Sequence, residues 1–307
     1  MSLTSKQLAI VIVNWNSFEL TKDTLSSLQN TSFKNYDCIV VDNGSHDGSG
    51  DALKNSFPEI ILIKSDTNNG FTGGNNLGMD YALSNGYEYI MMLNNDVEVE
   101  PNFLEPLVQK LNNNPAIGAV QPLIYFHHDK NLIWNAGSKY LAWIGLPLTL
   151  LYYRKDPNHT QTKVQKSVDW ITGCAFMMRS AVLQKVGTLK EKYFIYYEDV
   201  DLSFRIKEAG YDLAYEPSSV IYHIAGQSHK SKTKGKEGFL NPKVHYLNGR
   251  NRIWFLKAHT PIWAVPTTFV YQFFYYSLVS LYFIIRLRFN KLKAWFKGIK
   301  EGIFEAV

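Results

Sequence analysis

The sequence predicts an α/β domain with a mostly parallel central sheet, helices on both of its faces, and a C-terminal helical segment of different character. Three observations carry this. Over the first 125 residues, short β-branched runs of nearly continuous apolar sequence alternate with helical patterns, as expected of strands buried on both faces of a parallel sheet. Polar residues stand at the carboxyl end of each of the first four runs. Charged residues then vanish between Pro261 and Ile285.

In order, "LAIVIVNW" (8–15) is a strand, and "ELTKDTLSSLQN" (19–30) is a helix with Leu20, Thr24 and Leu28 on one face. "YDCIVVD" is the second strand and "HDGSGDALKNSF" opens the second helix. "EIILIK" is the third strand, and "GGNNLGMDYALSNG" is a third helix closed by a glycine. "YEYIMMLNN" is the fourth strand. From about residue 117 the pattern loosens through "AIGAVQPLIYF", "LIWNAGS" and "KSVDWITGCAFMMRSAVLQKVG". A helix starts near Glu198, followed by two short strands, "YDLAYE" and "VIYHI". The stretch from Gln227 to Lys243 carries five lysines among Ser, Thr and Gly and reads as a mobile loop.

Composition narrows the class. A chain of 307 residues, 46% hydrophobic and 14% aromatic, is globular rather than disordered. The net charge is +5, but Arg286, Arg288, Lys291, Lys293, Lys297 and Lys300 against Glu301 and Glu305 leave +4 in the tail alone. The rest is nearly neutral, which gives no footprint for nucleic acid. Two cysteines, Cys38 and Cys174, exclude a disulfide framework and a cysteine zinc site. The N-terminus lacks the features of a secretory signal, so the chain reads as cytoplasmic.

The segment "PIWAVPTTFVYQFFYYSLVSLYFII" would reach about 37 Å as a helix, against a hydrocarbon core of about 30 Å. Pro266, Gln272 and its tyrosines and tryptophan argue against a full span. Beyond it, Leu292, Trp295, Phe296, Ile299 and Ile303 recur at helical spacing with lysines between them, the pattern of a helix lying in an anionic membrane surface. A helical hairpin packed on its own domain or on a second subunit is the alternative.

The polar strand ends are Asn14 and Asn16, Asp42 with Asn43 and Ser45, Asp66 and Asn68, and Asn94, Asn95 and Asp96. In a parallel sheet these converge on one rim, which marks a binding crevice. Singly, each suits a helix cap or a turn. "DTNNGFTGGNNLG" lacks the P-loop lysine and the dinucleotide spacing; Gly70, Gly73 and Gly74 suit either close approach to a sugar diphosphate or a tight turn.

Together, "VIVNWN", "VVDNGSHDGSGD", "NNGFTGGNNLG", "LNNDVEVEPNFL", "WITGCAFMMRSAVLQKVG", "FIYYEDVDLSFRIKEAGY" and "IYHIAGQS" resemble, in order, the motifs of GT-A fold family 2 glycosyltransferases. The likeness covers roughly residues 8–258 and is greatest to the bacterial rhamnosyltransferase-like branch. It implies a Rossmann-like GT-A domain with a nucleotide-sugar-binding half (1–120) and an acceptor-binding, catalytic half (121–258), then a membrane-associating tail (259–307).

The resemblance further implies roles. Asp42 recognises the base, with Asn14 beside the same nucleotide, and Asn43, Gly73, Asn75, Asn94 and Asn95 complete the donor site. Where relatives carry Asp-x-Asp, this chain reads Asn94-Asn95-Asp96, so Asp96 is the metal carboxylate. His223 would be a further ligand to Mn²⁺ or Mg²⁺; as sequence alone it is also a satisfied strand-end histidine. Asp199 aligns with the catalytic base. Trp170, Thr172, Gly173 and Glu198 would face the acceptor, although Trp170 suits a core equally, and Glu198 suits a helix cap. Asp201 and Arg205, four apart, are expected to pair. Arg250 and Asn251 are set either at the diphosphate or acceptor phosphates, or on the surface of an amphipathic helix.

The implied function is non-processive, inverting transfer of a sugar, with rhamnose from dTDP-rhamnose as the expected case, to a lipid-linked or cell-envelope glycan at the cytoplasmic membrane face. No Gln-x-x-Arg-Trp motif of processive members is present. A homodimer stays open. A non-catalytic nucleotide-sugar binding protein and a nucleotidyltransferase are the alternatives.

Overall fold

The computed structural model describes residues 7–165, 167–224, 230–235 and 237–305. The chain begins β1 (Leu8–Asn14), α1 (Phe18–Gln29), β2 (Tyr36–Asn43), α2 (Ser49–Ser56), β3 (Ile61–Ser65), α3 (Gly70–Ser84) and β4 (Tyr89–Leu93). It continues through β5 (Val97–Val99), α4 (Leu104–Asn113), β6 (Ile117–Phe126), β7 (Ile133–Asn135), β8 (Ser138–Leu141), β9 (Leu146–Thr149), β10 (Ala175–Arg179), α5 (Ser180–Val186) and α6 (Glu198–Glu208). It closes with β11 (Asp212–His223), β12 (Lys230–Gly235), β13 (Gly238–Leu240), α7 (Pro242–His259), α8 (Val265–Ile285) and α9 (Phe289–Phe304).

One large sheet has the order β3-β2-β1-β4-β10-β6-β11-β5, with β7 beside β6. The first four strands are mutually parallel. Beyond them the sheet is mixed: β10 runs antiparallel to both β4 and β6, whereas β11 is parallel to β6 and antiparallel to β5. Because β10 lies between β4 and β6, the two expected halves share one sheet, and β6 itself crosses residue 120.

Alternation along each strand builds two apolar layers. Ala9, Val11, Ile39, Val41, Ile90 and Met92 face α3, α5 and α6. Leu8, Ile10, Ile12, Val40, Met91 and Leu93 face α1, α2 and α4. Two glycines bring α3 tight onto β1: a methyl on Gly78 would overlap Val11, and one on Gly74 would stand 2.8 Å from Val13. The glycine-rich run thus serves packing first, and in doing so carries the start of α3 to the rim.

Two expectations change form. "YDLAYE" and "VIYHI" join as one strand, β11, because the pairing with β6 steps from Glu216↔Pro122 to Val220↔Leu123 and absorbs Pro217, Ser218 and Ser219 as a bulge. Of the stretch expected to be a mobile loop, residues 227–229 and 236 lie outside the described residues, as do 225 and 226. The described part pairs as the hairpin β12–β13.

The C-terminal helices form a layer of their own. Pro242 opens α7 with Asn241 as its cap, the side chain accepting from Lys243 N at 2.9 Å. Gly298 and Gly302 let α9 lie against α7: a methyl on Gly298 would overlap the Tyr246 carbonyl. Lys291 and Trp295 are therefore buried rather than outward, with Lys291 Nζ donating to Glu237 O at 2.7 Å. Sequence periodicity placed Trp295 on the same apolar face as Phe296 and Ile303, which are exposed. It could not foresee that the glycine face would take a partner. One edge of α8 is anchored as well, since Gln272 donates to Ile144 O at 2.9 Å and accepts from Arg252 Nε at 2.8 Å.

Candidate active site

The rim at the ends of β1, β2 and β4 is organised by Asn14, which is fully buried. Its register partner is Asp42. The Asn14 amide nitrogen donates to Asp42 Oδ1 at 3.2 Å and Ser49 Oγ at 2.8 Å, and its oxygen accepts from Thr21 Oγ1 at 2.9 Å. Asn95 donates to the same threonine oxygen at 3.0 Å. One buried network thereby fixes Asp42, Asn14 and Asn95 together. Gly50 leaves room for Asp42, since a methyl there would overlap its carboxylate.

Asn43 turns to the α3 entrance. Its amide donates to Gly70 O at 2.9 Å and its oxygen accepts from Asn69 N at 3.1 Å, which holds the turn into the helix. Asn75 is buried and donates to Phe71 O at 2.8 Å, while Gly73 follows Asn69 in the first turn. These three line the helix entrance beside the rim rather than the Asn14 network itself.

Asp96 and His223 come together from neighbouring segments. Pairing of β5 with β11 sets His223 opposite Val97, and Asp96 Oδ1 lies 3.0 Å from His223 Nε2. Asn94 Nδ2 stands 3.3 Å from the same ring nitrogen. Burial works against a charged imidazole, but Cys174 and Asp96 beside the ring outweigh it and raise His223 to about 10. The Cys174 thiol is itself pushed up by burial, so the Asp96 carboxylate is the neighbour that holds this proton.

A carboxylate oxygen and an imidazole nitrogen at this separation would suit a divalent cation that displaced the proton between them and took its remaining oxygens from a substrate diphosphate. Among the described residues no group of three or more His, Cys, Asp and Glu side chains gathers for a metal.

Beyond this pair opens a cavity of about 320 Å³, lined by Trp134, Trp170, Thr172, Tyr196, Tyr197, Glu198, Asp199 and Asn248. Asp199 is gripped at the N-terminus of α6: Oδ2 accepts from Gly173 N and Oδ1 from Val200 N, both at 2.8 Å. Burial raises its pKa, against the pull of those backbone amides. Glu198 is raised well above the usual range by burial and then by the Asp199 charge, and its Oε2 is buried without a partner. Both acids are thus held above the usual range, and Asp199, which accepts two backbone amides, is the better placed to bear charge. Trp170 is pinned by donation from Nε1 to Lys139 O at 3.1 Å, and Thr172 N donates to Gln121 Oε1 at 3.3 Å.

Two residues join the subsites. Gly173 N reaches Asp199, and the next carbonyl, Cys174 O, accepts from Asn94 N at 2.9 Å.

Asp201 lies on the same helix but outside the cavity. Fully buried, it meets Arg205 at 2.8 Å, His259 at 2.9 Å and Lys190 at 3.1 Å. Arg250 has all three guanidinium nitrogens engaged within the protein. Nη2 donates to Lys192 O at 2.8 Å, Nη1 to Tyr246 Oη at 2.9 Å and Nε to Asn251 Oδ1 at 3.0 Å.

Sequence reasoning assigned no role to Trp134, Tyr196, Tyr197 or Asn248. The tyrosines stood inside "FIYYEDVD", beside the acids that drew attention. Trp134 and Asn248 come from segments with no motif, and only the fold brings them in.

Comparisons with known proteins give the family and the fold. The family model described as glycosyl transferase family 2 matches residues 9–187. The chain is 26% identical over 281 residues to the N-acetylglucosaminyl-diphospho-decaprenol L-rhamnosyltransferase of Mycobacterium tuberculosis, covering 84% of this chain and 87% of that protein. It is 24% identical over 272 residues to the dTDP-rhamnosyl transferase RfbF of Shigella flexneri, covering 88% and 86%. Among solved structures, the mannosyltransferase PcManGT of Pyrobaculum calidifontis with GDP-Man and Mn²⁺ superposes with a TM-score of 0.57 at 13% identity, covering 97% and 87%. GalNAc-T7 with UDP, GalNAc and Mn²⁺ gives 0.58 at 16% identity over 81% of this chain, which spans half the length of that one. These structures share the GT-A fold.

Proposed function

Since this chain belongs to glycosyl transferase family 2, we propose that it transfers a single sugar, rhamnose from dTDP-rhamnose, with inversion to a hydroxyl of a lipid-linked glycan. The observation that carries the reading is the Gly173–Cys174 link, which ties the Asp199 carboxylate to the Asn94–Asp96 segment on either side of one peptide. Such a site can hold an acceptor hydroxyl against a donor's anomeric carbon.

In the proposed reaction the acceptor oxygen attacks the anomeric carbon from the side opposite the diphosphate. Asp199 takes the hydroxyl proton as the new bond forms and the bond to the diphosphate breaks. Trp170 offers a flat apolar wall to a sugar ring, and Glu198, when protonated, can donate a hydrogen bond without competing as base. Asp96 and His223 would hold a divalent cation, whose positive charge offsets that developing on the leaving diphosphate. Asp42 and Asn14 would take the nucleotide.

The rhamnosyl donor and the lipid-linked acceptor rest on the names of the mycobacterial and Shigella relatives. The acceptor also rests on a helical stretch, Ile262–Ile285, long and apolar enough to cross a membrane, of whose most apolar part only 17% is buried. Ile262, Phe269, Leu278 and Ile285 project from it, with Arg286 and Lys293 exposed beyond its end. Apolar side chains exposed round most of this helix, with basic residues beyond its end, support attachment to an anionic membrane surface on the cytoplasmic side. Full-length protein is expected to float with vesicles containing anionic lipid, and a Phe269→Glu/Phe273→Glu variant to stay behind; wild type that stays behind sinks the membrane reading.

Incubation with dTDP-rhamnose, Mn²⁺ and a membrane lipid extract is expected to release dTDP only when the extract is present. Release of pyrophosphate would identify a nucleotidyltransferase, and binding without release a non-catalytic protein. The thermal shift given by dTDP with Mn²⁺ should fall to its metal-free value in Asp96→Ala. An unchanged Mn²⁺ titration in that variant would remove Asp96 from the metal site.

A further inference from the structure

Residues 192–197, which lead into Glu198 and Asp199, hold three non-glycine residues in left-handed backbone: Phe194 (φ 64°), Tyr196 (φ 77°) and Tyr197 (φ 70°). L side chains disfavour this region, and such a segment persists only where its surroundings over-determine it. The surroundings are specific. Asn251, fully buried on α7, has its amide nitrogen 2.9 Å from each of Tyr193 O, Ile195 O and Tyr196 O, so that its two N–H groups are shared among three carbonyls. Arg250 donates to Lys192 O at 2.8 Å and to Tyr193 O at 3.3 Å. Phe194 O faces the other way and accepts from Thr72 N of α3 at 3.2 Å, and Tyr197 O accepts from Asp201 N of α6 at 2.9 Å.

The two α7 residues act as a unit. Arg250 Nε donates to Asn251 Oδ1 at 3.0 Å, which leaves the asparagine NH₂ no choice but to face the loop. Arg250 is sandwiched against Trp254, with its guanidinium 4.1 Å from the ring centre, and donates to Tyr246, whose hydroxyl donates to Glu301 of α9. Behind the loop therefore stands a continuous chain of contacts from the C-terminal helix pair to the carbonyl of Tyr196, two residues ahead of Glu198.

We infer that Arg250 and Asn251 are positioning residues: they hold loop 192–197 in its left-handed course and so aim Asp199 into the cavity, without touching donor or acceptor. The inference rests on the reading of Asp199 as the base. It also gives α7 and α9 a part in turnover beyond any attachment to a membrane.

The test uses the full-length protein with Asn251→Ala and the milder Arg250→Lys. Amide hydrogen exchange of 192–200 should speed up at least about tenfold in Asn251→Ala, and less in Arg250→Lys, while β1 to β4 keep their protection. With dTDP-rhamnose, Mn²⁺ and membrane lipid extract, kcat should fall at least about tenfold, with KM for the donor within about twofold.

Exchange unchanged in both variants overturns the clamp, whatever the donor. Faster exchange with kcat intact overturns its role in turnover. A donor KM rising in step with the fall in kcat would make Arg250 a donor ligand instead and overturn it equally. If wild type does not turn over dTDP-rhamnose, the donor reading fails, and exchange alone decides the clamp.

Discussion

Asp199→Asn is expected to lower kcat by about 10²- to 10⁴-fold, the usual cost of removing a general base, while dTDP and Mn²⁺ bind as in wild type. The carboxylate receives two backbone amides, from Gly173 and Val200. An asparagine has one oxygen to offer them, so one amide loses its acceptor, at a cost of about 1–3 kcal/mol in stability. Kinetics should therefore be read well below the melting temperature. The pH profile gives a second check. A base must be deprotonated, so the wild-type rate rises with pH through the Asp199 pKa, which burial sets above the ordinary carboxylate range. That limb should vanish in the variant. Near-normal turnover in Asp199→Asn would remove it as the base.

Asp201→Asn should act on stability instead. The wild-type carboxylate is fully buried among Arg205, Lys190 and His259, and breaking a buried charge network by removing one partner costs about 3–5 kcal/mol. Despite the burial that opposes ionisation, hydrogen bonds from His259 and Arg205 and the Arg205 and Lys190 charges lower its pKa from 3.8 to about 2. A depressed folded-state pKa stabilises fully above the unfolded value, and that contribution fades as pH falls from 3.8 towards about 2. Denaturant melts should show wild type losing this increment across that window and Asp201→Asn showing no such step. Equal melting midpoints at pH 7 would mean that the network contributes little.

Much of the first half was legible because its strands are buried on both faces. A run such as Leu8 to Val13 has no other use for six consecutive apolar residues, and the polar residue that ends it must lie at a rim. The interruption in β11 was not legible, since Pro217-Ser218-Ser219 reads as a turn by local rules, and only a partner strand with a matching step turns it into a bulge. Among the site residues, Asp96 and His223 were expected together and lie 3.0 Å apart. Asp201 with Arg205 was also expected from helical spacing. Arg250 was the opposite case: a lone arginine in an amphipathic helix carries no mark of which way it faces. Its true neighbours, the carbonyls of Lys192 and Tyr193, are backbone atoms that no side-chain pattern encodes.

The reversal of β10 within the sheet has a topological consequence. A strand inserted parallel to β4 would send its last residue, Arg179, towards the polar rim and leave its first residues at the far edge, beside the N-termini of β1 and β4. Running the other way, β10 enters from the rim, so the peptides just ahead of Ala175 are delivered there. That entry is Gly173 and Cys174. Strand polarity here determines which end of a sequence motif can meet the substrate, and the same residues threaded in the opposite sense would leave Asp199 without one of its two amides.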